Sequence, residues 1–279
     1  MQLYTSERYE YRGRFAKTRF ERECLNEYAD VFKAVCVDAV YYAFPSMAYL
    51  QDMADQTPDD FRFGFKVTDT ITIKKFPNLP RFGAKAAMAN PDFLNADLFA
   101  TAFLKPCEKV RDKVGVLMFE FSRFFQRDYE HGRQFVDDLD SFLSKLPSGW
   151  PYAVEIRNKA WLKEEYFGCL TRHNVTHVHN AWTHMEGIYA QVRNFNAETT
   201  PDRAVARFLL KEGRTYEEAV KLFSPYNRTV EVNPDATQAG AFLIQMGQNK
   251  PKKTYIFVNN RMEGNALFTV KSMLDLAGV

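Results

Sequence analysis

The stretch VGVLMFEF, residues 114–121, decides the fold of this chain, because it is apolar at every position except Glu120. Side chains along a strand alternate between two faces, so Val116, Met118 and Glu120 share one face. That face is apolar until its last member. The pattern predicts a strand that delivers a carboxylate at its C-terminal end.

Six further β-branched or aromatic runs alternate with stretches of helical periodicity, a pattern typical of βα units around a parallel sheet. A single barrel of such units needs about 250 residues, and the chain has 279. The sequence therefore predicts one α/β domain over residues 1–279, a TIM-like barrel of parallel strands. The predicted strands are Ala34–Asp38, Arg62–Val67, Val114–Phe121, Tyr152–Arg157, Thr176–Asn180, Val205–Lys211 and Thr254–Asn259.

Residues that commonly start helices precede several of the intervening segments. They are Ser46, the pair Pro91 and Asp92, Thr215 with Glu218, and Asn233 before Pro234. The predicted helices are Phe20–Phe32, Ser46–Gln56, Asp92–Lys109, Phe135–Leu146, Lys163–His173, Thr215–Phe223, Pro234–Gln248 and Asn265–Ala277. Two long connections, Thr68–Asn90 and His184–Arg203, leave strand C-termini, and we expect them to fold over the barrel mouth as lids.

The composition is that of an ordinary globular protein, with 46% hydrophobic and 26% charged residues. A net charge of +2 gives no global attraction to nucleic acid or to an anionic membrane. No apolar stretch approaches the ~20 residues of a membrane span, and no signal peptide is apparent, so we expect a cytoplasmic protein. The cysteines follow no CxxC pattern and are expected to be reduced packing residues: Cys24, Cys36, Cys107 and Cys169.

Polar side chains end the barrel-facing set of most predicted strands, as Glu120 does. The same alternation leads from apolar or small residues to Asp38, Lys66, Glu155 with Arg157, His179 and Asn259. Isolated charges inside a barrel would cost several kcal/mol each, so these groups should meet one another or a ligand at the C-terminal mouth.

Cations and carboxylates in one mouth suit binding and proton transfer. Lys66, Arg157 and Arg207 are candidates to hold a carboxylate or phosphate, and Glu120, Glu155 and Asp38 are candidates to move a proton. We assign catalytic roles to Glu155, Glu120 and Lys66. The candidate substrate-binding residues are Asp38, Tyr42, Arg157, His179, Trp182, Arg207 and Asn259. A second interpretation fits the same residues, namely an ion-pair layer that only closes the barrel.

Metal binding has weaker support. His177, His179 and His184 with nearby carboxylates would suit zinc or manganese, but no HExxH motif is present. No metal or other cofactor is predicted, although the sequence leaves a divalent ion open. The chain also lacks GxGxxG, P-loop and GxSxG motifs, which argues against common nucleotide-binding and serine-hydrolase sites.

The same segments resemble the YecE-like family, also called domain of unknown function 72, a barrel family without an established activity. The resemblance is carried by VCVDAVYYAFP (35–45), TPDDFRFGFKV (57–67), GVLMFEF (115–121), YAVEIRNKAW (152–161), ARFLLKEGRTY (206–216) and YIFVNNRMEGNA (255–266). It implies a barrel and points to Tyr42, Lys66, Glu155, Arg157, Arg207 and Asn259 as site residues. Cys36, Asp38 and Glu120 stand where the family commonly has Glu, Asn and Gln, which leaves the charge of the pocket open.

The start of the chain departs from the family, which opens with a strand and a Gly-Thr-Ser-Gly-Trp-like phrase. Residues 1–18 resemble the family's segment after that strand. We therefore expect the first strand to be missing from this chain, through a late start or a replacement by another segment. A barrel without it would have two unpaired edges.

Three functions fit these observations. The first is an enzyme, a hydrolase or an isomerase, acting on a small anionic or sugar-like substrate by carboxylate acid–base chemistry. The second is metal-dependent phosphodiester chemistry on nucleic acid, which the net charge does not support. The third is a barrel that binds a metabolite without catalysis. The sequence does not predict an oligomeric state.

Overall fold

The computed structural model describes residues 10–11 and 14–279, and its centre is a seven-stranded parallel sheet. The strands pair in chain order, each with the next, and alternate with helices as the sequence predicts. The α/β barrel is therefore confirmed. The strands are β3 (Ala34–Val37), β4 (Arg62–Lys66), β5 (Val114–Phe121), β6 (Tyr152–Ile156), β7 (Thr176–Ala181), β8 (Arg203–Phe208) and β9 (Lys253–Val258).

A short antiparallel hairpin, β1 (Glu10–Tyr11) with β2 (Arg14–Phe15), lies outside this sheet. The expectation of an atypical start at residues 1–18 falls largely on positions outside the described residues. Across residues 10–11 and 14–279, no helix combines the length and the apolar character that crossing a membrane requires.

All eight predicted helices are present, and several begin at the predicted caps. Ser46 Oγ accepts the Tyr49 N–H at 3.2 Å, and Thr215 and Glu218 form a reciprocal capping box. The helices are α1 (Lys17–Val31), α2 (Ala39–Tyr42), α3 (Met47–Asp55), α4 (Asp69–Thr72), α5 (Ala96–Leu98), α6 (Lys105–Cys107), α7 (Gly132–Leu143), α8 (Glu164–Arg172), α9 (Ile188–Val192), α10 (Tyr216–Phe223), α11 (Pro234–Asn249) and α12 (Ala266–Ala277). A π-helical stretch, Phe99–Leu104, joins α5 to α6.

The two long connections behave differently. The first contains α4 and a 3₁₀ turn at Pro80–Lys85, whose Arg81 reaches the residues of the mouth. The second contains α9, which buries Ile188 and Val192 against α11 in the outer layer. The prediction of a second lid over the mouth is therefore wrong, because the apolar face of α9 is buried on the side of the barrel.

Aromatic side chains fill the layer between the strands and the helices. The outward residues of β5, Phe119 and Phe121, pack against rings such as Phe99, Phe135 and Phe142. All five rings are at most 2% exposed. This packing explains the high phenylalanine content as core filling rather than as a stacking surface for bases.

Two aromatic side chains of the last strand fill much of the inside of the barrel. Tyr255 and Phe257 of β9 extend stacked rings across the interior to β4 and β5. A Cβ added at Gly64 would lie 2.7 Å from Phe257 Cζ, and one at Gly115 would lie 2.8 Å from Tyr255 Cε1. Glycine is required at both positions because the rings occupy the space that a side chain would need.

In the described residues, the sheet has two edge strands, β3 and β9. Among the described residues these two strands form no ladder with one another. Their nearest Cα atoms nevertheless come within 8 Å, whereas an intervening strand requires about 9.6 Å, twice the usual spacing. Where the two edges approach, side chains of β3 and β9 pack in the same interior cluster.

The first prediction concerns this ring packing. Replacing Gly64 by Ala should destabilise the protein by about 1–3 kcal/mol, since the added methyl group overlaps the Phe257 ring. Adding Phe257→Leu to the same variant should recover part of the lost stability, because the smaller leucine leaves room for the added methyl group. Urea unfolding of both variants measures the free energies.

The control is Gly168→Ala in helix α8, where the nearest atom lies 3.8 Å from the new Cβ. This change should be neutral or stabilise by up to about 1 kcal/mol, the difference in helix propensity. Equal stability of the Gly64→Ala variant and the wild type would contradict the packing described here.

Candidate active site

Five charged side chains meet at the carboxyl ends of four strands. Lys66 ends β4, Glu120 lies one residue before the end of β5, and Glu155 holds the same place in β6. Arg157 follows β6, and Arg207 lies in β8. All five are buried or nearly so, with Lys66 the most exposed at 12% of its side chain. The structure brings these five residues together at one mouth, as the strand alternation predicts.

Glu120 is the centre of this charged cluster. Its Oε2 atom accepts from Lys66 Nζ at 2.8 Å, from Arg157 Nη2 at 3.0 Å and from Arg207 Nη1 at 2.7 Å. Ion-pair hydrogen bonds of this length are about twice as strong as neutral ones. One carboxylate oxygen on β5 therefore links that strand to the ends of three others, β4, β6 and β8.

Glu155 is the second carboxylate of the cluster and is fully buried. It accepts from Arg157 Nε at 3.2 Å and from Arg207 Nη1 at 2.5 Å. Glu120 and Glu155 are paired in register on neighbouring strands. Their oxygens lie within about 5 Å of each other because both bond the same Arg207 nitrogen. Like charges so placed repel, and the shared guanidinium offsets that repulsion.

The protonation of Glu120 is set by its partners. Burial alone would raise its pKa, but Arg157, Lys66 and Arg207 outweigh burial and hold the pKa well below its ordinary value of 4.5. Glu120 is therefore ionised at neutral pH and has no proton to donate. Its ion pairs hold the side chains of Lys66, Arg157 and Arg207 in place.

The charges of the cluster do not cancel. Three cations face two buried carboxylates, which leaves one positive charge. Asp38, predicted as the third acid, has a side chain that is 60% exposed, and its carboxylate stays 3.9 Å from Arg207 Nη2. Asp38 lies at the rim, at the N-cap position of α2. Because its side chain is exposed, water screens its charge.

Two aromatic rings cover the cations. The Tyr41 ring centroid lies 3.6 Å from Lys66 Nζ, and the Trp182 centroid lies 3.7 Å from Arg157 Cζ. Tyr41, Tyr42 and Trp182 all follow predicted strands and are candidates to line a pocket, and the family resemblance points to Tyr42. Tyr42 is 64% exposed. The turn of α2 decides which of the two tyrosines faces the cluster, and strand alternation does not extend into it.

The first long connection adds Arg81 to the rim. Its guanidinium pairs with Asp69 at 2.9 Å and lies 5.1 Å from the centroid of the Tyr42 ring. It also stacks 4.2 Å above Phe82 in its own turn. Nothing in the sequence singles out Arg81, because a loop residue gains its position only from the path of the folded chain.

The placement of His179 on the barrel face is wrong. Val178 belongs to the interior cluster, so its neighbours His177 and His179 point toward the helices. The His177 ring contacts Phe167 and bonds the Tyr166 hydroxyl at 3.1 Å. Burial lowers the pKa of His179 to about 4, so this imidazole is neutral. Both faces of β7 carry polar residues, and alternation alone does not say which face is inside.

Asn180 occupies the inward position that the sequence pattern assigns to His179. Its Nδ2 donates to the Ile156 carbonyl at 3.0 Å, while its buried Oδ1 has no hydrogen-bond partner among the described residues. Asn259 also follows a strand, but its Oδ1 accepts the Arg261 N–H at 3.0 Å in a local turn. Within the described part of the chain, Asn259 makes no hydrogen bond to the charged cluster.

The histidine and carboxylate ligand set suggested for a metal at the mouth is not assembled. His177 and His179 face the helices, and His184 is exposed. Over residues 10–11 and 14–279, the group that brings three ligand atoms together is Asp140, Cys169 and His173, which belong to the outer helices.

Comparison with known proteins gives the same picture of the fold. The sequence profile of one family, described as Protein of unknown function DUF72, matches residues 7–279. The UPF0759 protein YecE of Escherichia coli strain K12 is 29% identical over 134 residues, as is that of strain O157:H7. This match covers 48% of the chain and 41% of YecE.

Solved structures of two DUF72 proteins are similar to this barrel. The Enterococcus faecalis V583 protein has a TM-score of 0.62 at 17% identity, with 93% of this chain and 95% of that chain covered. The Thermotoga maritima MSB8 protein has a TM-score of 0.59 at 18% identity, with coverages of 92% and 90%. These likenesses concern the fold.

The second prediction concerns the pH dependence of stability. A carboxyl whose pKa is lowered by folding stabilises the protein above its unfolded pKa, and this stabilisation is lost as the pH falls toward the folded pKa. For Glu120 the loss begins below its ordinary value of 4.5. Glu120→Gln should cost about 3–5 kcal/mol at neutral pH, because three cations lose their shared partner. Its deficit should shrink in acid.

Urea unfolding of both proteins from neutral pH down to about pH 3 tests this linkage. The control is Glu108→Gln, an exposed glutamate in the turn before β5, which should behave as the wild type does. A Glu120→Gln variant whose deficit stays constant across this pH range would show that Glu120 is not the titrating group.

Proposed function

Because the chain belongs to the DUF72 family, whose description assigns no activity, we propose a function from the mouth of the barrel. The protein is an enzyme that binds a small anionic or sugar-like substrate there and acts on it by acid–base chemistry. The observation that carries this proposal is the surplus positive charge of a buried cluster at the strand ends. Active sites of such barrels lie at this end.

Two of the cations have hydrogen-bonding capacity left for a substrate. Lys66 gives one of its three N–H groups to Glu120, and Arg157 Nη1 has no hydrogen-bond partner among the described residues. Arg207 is more deeply buried, and its Nη1 is shared by the two glutamates. A carboxylate or phosphate bound by Lys66 and Arg157 would neutralise the surplus charge.

The covering rings suit the rest of such a substrate. Trp182 is partly exposed and presents aromatic surface beside Arg157, while Tyr41 lies buried beside Lys66. Apolar faces of a sugar or of another small ring pack well on such surfaces. The rings therefore favour a small molecule that carries an anionic group next to a ring.

Glu155 is our candidate for proton transfer. Its Oε1 is held by Arg157 Nε at 3.2 Å, and Arg157 is the more exposed of the two arginines in the cluster. When a substrate anion draws Arg157 away, Glu155 gains the freedom to accept a proton as a general base. Glu120 keeps Lys66 and Arg207 in place during this step. Hydrolysis and isomerisation both use a base so placed.

The cytoplasm is the compartment we propose. All four cysteines are free, and Cys36 and Cys107 have thiol pKa values that burial raises to about 12. Unpaired thiols are typical of proteins from reducing compartments.

The third prediction is that a small anion stabilises the folded protein. Sugar phosphates and hydroxy acids screened by thermal shift should include a compound that raises the melting temperature. A ligand at a hundred times its Kd contributes about 2.7 kcal/mol. Arg157→Lys should weaken binding of that compound about tenfold, since lysine lacks the Nη1 group that would donate to the anion. Arg123→Lys, an exposed arginine beside Phe125, is the control.

The outcomes separate the candidate functions. If Arg157→Lys leaves the affinity for the compound unchanged, the compound binds somewhere other than the mouth. Binding without turnover of any bound compound would favour a barrel that binds a metabolite without catalysis. Affinity for DNA that falls steeply with salt would favour phosphodiester chemistry instead.

The fourth prediction assigns the base. With a compound that the wild type turns over, Glu155→Gln should lower kcat by about 10²- to 10⁴-fold, the usual contribution of a general base. Its KM should change little, because Lys66 and Arg157 still bind the anion. Circular dichroism and urea unfolding check that the variant folds. A folded variant with unchanged kcat would remove Glu155 from the mechanism.

A further inference from the structure

Three side chains with metal-binding atoms meet between helices α7 and α8. Asp140 lies in α7, Cys169 lies in α8, and His173 caps the C-terminal end of α8. A carboxylate oxygen, the thiol sulfur and an imidazole nitrogen all lie within 4.8 Å of one another. The cluster has no part in the proposed function.

The cluster lies at the opposite end of the barrel from the charged mouth. His173 lines a cavity of about 770 Å³, together with Val114, Tyr152, Arg203 and Lys253. These four residues begin strands β5, β6, β8 and β9, so the cavity opens at the amino ends of the strands. A ligand bound here would be separated from the mouth by the packed interior.

We propose that Asp140, Cys169 and His173 form a binding site for a divalent transition-metal ion of the zinc type. Cys169 and His173 are four residues apart on one helix turn and therefore share a face. Asp140 faces them from the neighbouring helix. Sulfur, nitrogen and oxygen ligands together suit zinc, whereas magnesium and calcium prefer oxygen alone. Three protein ligands leave the fourth position for water or another small ligand.

The hydrogen bonds of Asp140 are consistent with a site assembled before the ion arrives. Its Oδ1 atom already gathers Arg172 Nη2 at 2.6 Å, His173 Nε2 at 3.0 Å and the Cys169 thiol at 3.6 Å. Asp140 Oδ2 has no hydrogen-bond partner within the described part of the chain. When a cation binds Oδ1, Arg172 can pair with Oδ2 and orient the carboxylate, as outer residues commonly do around metals.

Binding must displace a proton from Cys169. Burial raises the pKa of this thiol to about 12, so it is protonated in the metal-free protein. A coordinated metal stabilises the thiolate and releases that proton to the solvent. The ion reaches the sulfur past Asp140 and His173, whose side chains are 41% and 21% exposed, whereas Cys169 is fully buried.

The experiment is a titration of the full chain with Co²⁺ under reducing conditions, monitored by optical absorption. Thiolate coordination gives a sulfur-to-cobalt charge-transfer band, which a carboxylate and imidazole site cannot give. We expect one equivalent of Co²⁺ to produce this band. Added Zn²⁺ should displace the Co²⁺ and remove the band. Cys169→Ala should abolish the band, and His173→Asn should weaken binding by at least about tenfold.

The matched control is Cys107→Ala, because Cys107 is equally buried but donates only to the Phe103 carbonyl. This variant should bind Co²⁺ as the wild type does. A wild type without the charge-transfer band, or a band that survives in Cys169→Ala, would overturn the proposal. If Cys169→Ala does not fold, His173→Asn decides, since the imidazole is partly exposed and lies outside the apolar core.

Discussion

Glu120 is the buried charge on which the mouth of the barrel depends, because one of its oxygens accepts from cations that arrive on three strands. A parallel barrel points half of each strand inward, and an inward charge without a partner costs several kcal/mol. The register between β5 and β6 adds to this cost, since it places the negative charge of Glu120 beside that of Glu155. Lys66, Arg157 and Arg207 satisfy both carboxylates and leave one positive charge. The stability of the cluster and its capacity to bind an anion thus have the same origin.

The barrel separates two polar ends by a packed middle. Tyr255 and Phe257 reach across the interior, and Gly64 and Gly115 provide the space for their rings. This packing also draws the edge strands β3 and β9 together without a ladder between them in the described part of the chain. Ligands at the mouth and at the amino ends of the strands therefore have no common cavity. Binding at one end need not involve the residues of the other.

Much of this architecture could be predicted from periodicity. All seven strands and eight helices appear where apolar alternation and helix caps indicate them, because burial imposes the same spacing on every such element. Of the predicted site, Lys66, Glu120, Glu155 and Arg207 meet as expected. His179 does not join them, since both faces of β7 are polar and the sequence does not mark the inner one. Helix α9, in the connection predicted as a second lid, was missed for a similar reason. Its burial depends on contact with α11, which the local sequence does not show.

By itself, the sequence determined that parallel strands bring lysine, arginine and glutamate to one rim, because alternation along a strand is a local property of the chain. Only the tertiary structure decided which oxygen they share and which tyrosine covers Lys66. It alone decided that Asp38 remains exposed and that Asp140 meets Cys169. Those relations depend on distances between elements far apart in the chain, and the packing of the whole barrel sets such distances.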